Sequence, residues 1–243
     1  MELYDMHSHI LPAFDDGAKT VEDSLELIGH LRRQGVRHIC LTPHFYTYDL
    51  SYDDYLVKRE KAFQKFLPHI PEDISVVLGC EVYVTEYLFN NSDIAGVAYG
   101  NSRYILTEFP YELTLDDRTM QQFYMLTQKY RLTPVMPHIE RYPYFIDHPE
   151  AIGTLKDMGA VIQTNISNYV KGAPLFRKRK LLKLIERGFI DILGSDTHSM
   201  HHNPPDVFAE AVDTIGKKCG ADTVERMMAT AGKIFRRAQE PRT

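Results

Sequence analysis

Apolar residues along the chain alternate between two spacings. Short strand-like runs at 3–7, 36–42 and 74–79 are separated by longer segments in which apolar side chains return at helical intervals. The first such segment opens on Thr20-Val21-Glu22-Asp23, a capping-box-like start with Thr20 as N-cap and Asp23 three positions on. Val21, Leu25, Ile28 and Leu31 then share one helical face, and Gly35 supplies the stop. A second helix is expected around 52–67. Residues 74–79 (ISVVLG) have the composition of a strand covered on both faces. Further strands are expected at 104–107, 133–137, 160–164 and 189–194. Helices at about 116–130, 149–158 and 175–187 fall between them, and two more at about 204–218 and 221–237 finish the chain. Seven strands alternating with helices predict parallel βα units in an α/β fold, closed into a barrel or near-barrel.

The length of 243 residues suits one such barrel, and no linker rich in Gly, Pro or Ser divides it, so a single domain over 1–243 is expected. Apolar residues at 44% and charged residues at 25% are ordinary globular values. Lys plus Arg total 28 against 33 for Asp plus Glu, a formal charge of −5, which offers no broad electrostatic footprint for nucleic acid. The first five residues meet charge at once, with no apolar h-region, and no stretch approaches the ~20 apolar residues that span a bilayer. Cys40, Cys80 and Cys219 are odd in number and widely spaced, as reduced thiols are. The expectation is a cytoplasmic protein with no membrane insertion.

Catalytic groups of a parallel barrel gather after the carboxyl ends of its strands. His7 and His9 follow the first predicted strand, with Asp16 further along the same loop; His44 follows the second, Glu81 the third, Glu108 the fourth and His138 the fifth. Asp196 and His198 follow the seventh. Singly, each is an ordinary surface or core residue. Jointly, six of seven strands deliver a ligand-type side chain to one rim, which predicts a metal centre. Five His and four carboxylates without Cys form a mixed nitrogen and oxygen set, suited to Mn, Fe or Zn rather than to a closed thiolate zinc site. Nine ligands exceed the needs of one ion, so two or three are expected, with a carboxylate such as Glu81 bridging. Arg141, three residues past His138, is placed to hold phosphate bidentately; its bland alternative is a surface ion pair, for example with Glu140. None of the cysteines has Arg six residues later (those positions hold Tyr46, Glu86 and Glu225), which excludes a cysteine-nucleophile tyrosine phosphatase. There is no Asp-x-Asp pair of an aspartyl-phosphate enzyme, no Walker loop and no Gly-x-Ser-x-Gly elbow.

The runs Asp5-Met6-His7-Ser8-His9-Ile10-Leu11, Phe14-Asp15-Asp16-Gly17, Thr42-Pro43-His44, Gly79-Cys80-Glu81-Val82-Tyr83, Pro137-His138-Ile139-Glu140-Arg141-Tyr142 and Ser195-Asp196-Thr197-His198 resemble the polymerase and histidinol phosphatase (PHP) superfamily. They are most similar to one branch, the bacterial manganese-dependent tyrosine-protein phosphatases of capsular and exopolysaccharide operons, of the CpsB and YwqE type. The resemblance spans about residues 1–215. It implies a distorted (β/α)7 barrel holding three metal ions, manganese first and iron or zinc next. His7, His9, Glu81 and Asp196 would hold one ion, Glu81, Glu108 and His138 a second, and Asp16, His44 and His198 a third. It further implies that Arg141 grips the phosphate, that His198 also serves catalysis, and that a metal-activated hydroxide hydrolyses phosphotyrosine. The implied partner is a phosphotyrosine-bearing protein, the tail of a bacterial tyrosine kinase controlling polysaccharide synthesis.

One departure concerns a second phosphate-binding Arg that members of this branch carry after the Asp-x-His motif. Here the stretch reads Ser199-Met200-His201-His202-Asn203, with Asn203 at that position and His201 or His202 as further candidates. Tyr46, Tyr48, Tyr52 and Tyr55 are either an aromatic wall for a phosphotyrosine peptide or the packing of a helix. Arg177-Lys178-Arg179-Lys180, followed by Leu181, Leu182, Leu184 and Ile185, reads as the wet side of an amphipathic helix. Within the same chemistry the rival is a histidinol-phosphate phosphatase; outside it, a non-catalytic phosphotyrosine-binding module. A nuclease of the superfamily is disfavoured by the negative charge. An amidohydrolase would present a carbamylated Lys where Glu81 and Glu108 stand.

Overall fold

A computed structural model describes residues 1–241. Its strands are β1 (Leu3–Ser8), β2 (Val36–Leu41), β3 (His44–Tyr46), β4 (Ser75–Leu78), β5 (Glu81–Tyr83), β6 (Tyr104–Glu108), β7 (Thr133–Met136), β8 (Val161–Asn165) and β9 (Ile192–Gly194). Every named pairing is parallel, in the orders β1-β2-β4 and β3-β5-β6-β7-β8-β9. The helices are α1 (Val21–Arg33), α2 (Tyr52–Phe66), α3 (Asp117–Tyr124), α4 (Pro143–Asp147), α5 (Pro149–Asp157), α6 (Leu175–Glu186), α7 (Phe208–Cys219) and α8 (Ala221–Gln239). The barrel interior and the inner faces of the helices form one hydrophobic cluster.

Seven strand positions are present as predicted, but the second and third are each broken in two. β3 and β5 resume the course of β2 and β4 after Thr42-Pro43 and Gly79-Cys80. Pro43 has no N–H for the ladder. At Gly79 any Cβ would stand 2.9 Å from the Tyr99 ring. The chain steps there and continues, with Gly79 N–H donating to Leu41 O at 2.8 Å and Glu81 N–H to Pro43 O at 3.1 Å. Below the step β4 and β6 do not pair. The segment Tyr99–Gly100 stands between them, its N–H groups donating to Tyr104 O and Leu78 O at 2.8 Å each. The buried Tyr99 hydroxyl reaches across to Met6 O at 2.8 Å. The break matters because His44 and Glu81 are the first residues after it.

A seam joins the two ends of the barrel order. Asp196 N–H donates to His7 O at 2.8 Å and His9 N–H to Thr197 O at 2.9 Å, with a parallel bridge between Ser8 and Thr197. Buried Asp5 reinforces it by accepting from Ser195 N–H at 2.7 Å and from the Ser195 hydroxyl at 2.6 Å.

Local signals behave as the sequence suggests in most places. Thr20 and Asp23 form a reciprocal capping box, and Gly35 adopts φ 89° just beyond α1. α6 buries Leu181, Leu182, Leu184 and Ile185 and leaves Arg177 and Arg179 exposed. The helix expected over 116–130 widens into a π turn at Met125–Lys129. α4, opened by Pro143, was not foreseen. The three thiols are free. Among the described residues, no helix is long and apolar enough to cross a membrane.

Candidate metal centre

Alternation along β1 sends Asp5, His7 and His9 to one side of the strand. The His7 and His9 rings meet with their Nε2 atoms 3.1 Å apart. Glu81, delivered by the restart at β5, lies beneath both. Its Oε2 is 3.2 Å from His7 Nε2, 3.2 Å from His9 Nε2 and 3.1 Å from His44 Nδ1, while its Oε1 is 2.8 Å from His138 Nε2. One buried carboxylate therefore faces four imidazoles. Asp196 Oδ1 closes the far side at 3.6 Å from His7 Nε2 and 3.5 Å from His9 Nε2.

The remaining candidates extend this core in two directions. Glu108 Oε1 lies 3.5 Å from His138 Nε2. Asp16 Oδ1 lies 3.4 Å from His198 Nε2 and 3.6 Å from His44 Nε2. All nine side chains expected from the sequence thus converge on one mouth. The ligand atoms of seven of them form three overlapping groups, each with all atoms within 4.8 Å of one another: His7, His9 and Glu81; His44, Glu81 and Glu108; and His9, Asp16, His44 and His198. His138 and Asp196 join through Glu81, Glu108, His7 and His9. The grouping differs in detail from the implied sets, since His44 and His9 each fall in two groups.

Charge balance shows what this pocket is built to hold. Burial disfavours protonated His7, yet Glu81 and Asp196 hold its pKa above the usual imidazole value. His9 goes higher still against the same burial penalty, through Asp15, Asp196 and Glu81. Glu81 and Asp196 stay well below the carboxylate range although burial pushes them up, because His7 and its neighbours favour their anions. His198, by contrast, falls to about 4 through burial and the charge on His9. Buried anions here stabilise positive charge, and several imidazoles offer lone pairs. Divalent ions match that chemistry, and the donor set fits them.

Neighbouring groups aim the donors. Asp15 Oδ2 accepts from His9 Nδ1 at 2.8 Å and from His44 N–H at 3.0 Å, which turns His9 Nε2 inward. His198 Nδ1 lies 2.8 Å from Asp196 O, leaving Nε2 for Asp16. Gln163 Oε1 accepts from His138 N–H at 2.8 Å, and Asn165 Nδ2 donates to Asp196 Oδ2 at 2.8 Å. His138 and Asp196 both adopt left-handed backbone, φ 33° and 53°. Non-glycine residues rarely do so; here the Gln163 bond and the seam bond to His7 O hold them.

Arg141 bonds Asp196 Oδ2 through Nη2 at 2.5 Å and the Tyr111 hydroxyl through Nη1 at 3.2 Å. Its pairing with Glu140, the bland alternative, does not occur: Glu140 is buried and accepts from Thr164, Asn165 and Asn168. Tyr111 in turn donates to Glu108 Oε1 at 2.8 Å, and burial with that carboxylate pushes its pKa up to about 12. Asn203 lies beside the centre with its amide on Asp196 O and Oδ2 at 2.9 and 3.0 Å. The His202 ring lies against His198 in a tilted contact with centroids 4.6 Å apart, and His201 is exposed. The tyrosine stretch divides. Tyr46 stacks on His44, with centroids 5.1 Å apart, and touches Tyr48 and Tyr83, whereas Tyr55 is buried and bonds Pro43 O. Tyr46 and Tyr55, with Phe14, Leu50 and Lys58, line a cleft of about 270 Å3 that opens on Asp16 and His44.

Asp15, Tyr111, Gln163 and Asn165 were not anticipated as site residues. Asp15 had a signal, its place in the Asp15-Asp16-Gly17 run; the others reach the centre only through folding.

Fold and rim together define a class: a parallel α/β barrel with a shared His and carboxylate donor set at the carboxyl ends of its strands. Residues 3–236 match the family described as capsular polysaccharide synthesis, CpsB/CapC, and the chain belongs to that family. It is 32% identical over 206 residues to tyrosine-protein phosphatase YwqE of Bacillus subtilis, covering 82% of this chain and 78% of the relative. It is 29% identical over 239 residues to tyrosine-protein phosphatase CpsB of Streptococcus agalactiae, covering 93% and 94%. It also superposes, with TM-score 0.82 and 26% identity over 97% of this chain and 95% of the other, on a chain from the crystal structures of YwqE from Bacillus subtilis and CpsB from Streptococcus pneumoniae, described as unique metal-dependent tyrosine phosphatases.

Proposed function

We propose that this protein is a metal-dependent tyrosine phosphatase of capsular polysaccharide synthesis, acting as one domain on a phosphotyrosine-bearing protein. The observation that carries this reading is the Glu81 carboxylate facing four imidazoles, with Asp196 shared between His7, His9 and the Arg141 guanidinium. His7, His9, Glu81 and Asp196 would hold one ion, Glu81, Glu108 and His138 another, and Asp16, His44 and His198 a third; the nitrogen and oxygen donors favour manganese, with iron or zinc next. Bound ions of this kind lower the pKa of water and neutralise charge on phosphoryl oxygens.

The chain's own residues do the rest. Arg141 is held by Asp196 and Tyr111 with its guanidinium fork at the mouth, where it binds and orients a phosphate bidentately. Tyr111 stays protonated at neutral pH and so remains a donor beside Glu108. Asn203 fixes the backbone and carboxylate of Asp196 and stands next to the arriving phosphate. The aromatic cleft beside His44 accommodates an aryl group on that phosphate. A phenol, with pKa about 10, leaves without strong help from a general acid. Within the family's setting, the proposed partner is the phosphorylated tail of a bacterial tyrosine kinase.

The test is phosphate release from a phosphotyrosine peptide and from histidinol phosphate by manganese-loaded protein. The peptide should turn over faster, and Arg141→Ala should lower kcat/KM by about 10²-fold or more with metal content retained. Preference for histidinol phosphate, or peptide binding without phosphate release, overturns the proposal.

A further inference from the structure

The opposite end of the barrel carries a cavity of a different character. It encloses about 750 Å3 beside the amino-terminal ends of β6 and β7, and its lining includes Arg103, Tyr104, Lys129, Arg131 and Arg237, with Glu240 as its one carboxylate among the described residues. Tyr104 begins the strand that ends at Glu108. Four steps of extended chain put the cavity roughly 13 Å from the metal-ligand rim. The phosphotyrosine side chain bound at the mouth does not reach it.

Four cations around one cavity stand out in a chain of net charge −5. No ion pair joins any of the four to a carboxylate among the described residues. Arg103 donates to the Arg131 carbonyl at 3.4 Å. Lys129 Nζ lies 4.6 Å from the Tyr130 ring centroid and donates to the Tyr130 hydroxyl at 3.0 Å and to Phe89 O at 3.4 Å. Four exposed cations set against the single carboxylate of Glu240 leave a net positive charge at the cavity, which a bound anion offsets. The backbone supplies an independent observation. Arg131 sits at φ 54°, in the left-handed region that glycine enters freely and a long side chain does not. Folding holds a guanidinium at the cavity in a conformation that a residue without a side chain would adopt more easily.

We propose that this cavity binds a small multiply phosphorylated molecule of nucleotide size. The volume fits such a ligand. Arg103, Arg131 and Arg237 supply forked donors for phosphate oxygens, Lys129 a point charge, and Tyr104 an aromatic surface at the floor. The site is separate from the phosphatase centre and does not depend on it.

Calorimetric titration of the metal-loaded protein with the non-hydrolysable ATP analogue AMP-PNP, and with tripolyphosphate, tests this. Arg131→Glu combined with Arg237→Glu should weaken both ligands at least about tenfold, while turnover of a phosphotyrosine peptide stays within about twofold of wild type. Arg131→Gly removes one charge with no steric cost at that φ. It should keep or raise Tm and weaken both ligands to a lesser degree, so lost affinity cannot be laid to misfolding. Unchanged affinity in the two variants would place the ligand at the metal mouth and overturn the proposal. So would the absence of binding to wild type at millimolar ligand.

Discussion

Asp15 shows how much a single side chain decides. Its carboxylate accepts from His9 Nδ1 at 2.8 Å and from the N–H of His44 at 3.0 Å, so it orients one imidazole and anchors the backbone that carries another. Burial alone would raise its pKa; the His9 contact and the N–H groups of Gly17 and His44 hold it well below the carboxylate range instead. It is an anion that serves three donors. Replacing it by an isosteric amide keeps the shape and loses the charge. Asp15→Asn should therefore fold normally while its metal affinity falls about 10–100-fold, read by titrating metal against an indicator dye. Affinity equal to wild type would mean that His9 finds its orientation without this partner. Asp15 shares a sequence run with Asp16, so its neighbourhood was legible, but two adjacent carboxylates do not reveal which one faces the centre and which one steadies a ligand.

At the scale of the elements, the interrupted strands are the feature that positions the chemistry. Short strand-like runs and glycine stops announce β1, β2, β6, β7 and β8 and the helices between them, because burial leaves a compositional mark. The steps at Thr42-Pro43 and Gly79-Cys80 leave a weaker one. Pro43 marks the first by lacking an N–H for the ladder; at the second a distant residue, Tyr99, leaves no room for a Cβ on Gly79, and its hydroxyl is tied to Met6 O. A methyl group at 79 would stand 2.9 Å from a ring that is fully buried and cannot swing aside. Gly79→Ala should cost about 1–3 kcal/mol of stability by overpacking, seen as a lower midpoint in urea. Because Glu81 follows two residues later, metal affinity should fall with it. A variant as stable as wild type would show that the step has some other origin. α4 escaped the sequence reading for a related reason: Pro143 marks a helix start only once the preceding loop is known to turn.

For the molecule as a whole, the site was legible because strand polarity in a parallel barrel converts sequence position into place. Nine ligand-type residues that follow strands must share a rim, and they do. Of the groups that aim them, Asn165 ends β8 and Tyr111 follows β6, but as neutral side chains they carry no ligand-type signal, and Gln163 inside β8 emerges only from packing. The rim concentrates buried acids against imidazoles, so ions that bind there stabilise the folded state. Chelation should accordingly stop phosphate release and lower Tm by several degrees, both recovered on adding manganese. A chelated protein with unchanged Tm and full turnover would remove the metal from the account.

The seam between β1 and the stretch after β9 has a consequence for the timing of activity in the cell. Asp5 and Ser195, bonded side by side, are 190 residues apart along the chain. A polypeptide still emerging from the ribosome possesses His7 and His9 early but lacks Asp196 and His198 until most of translation is over. On the proposed ligand set, a half-made copy would lack part of its metal centre, and hydrolytic competence would follow only once the stretch after β9 docks against β1.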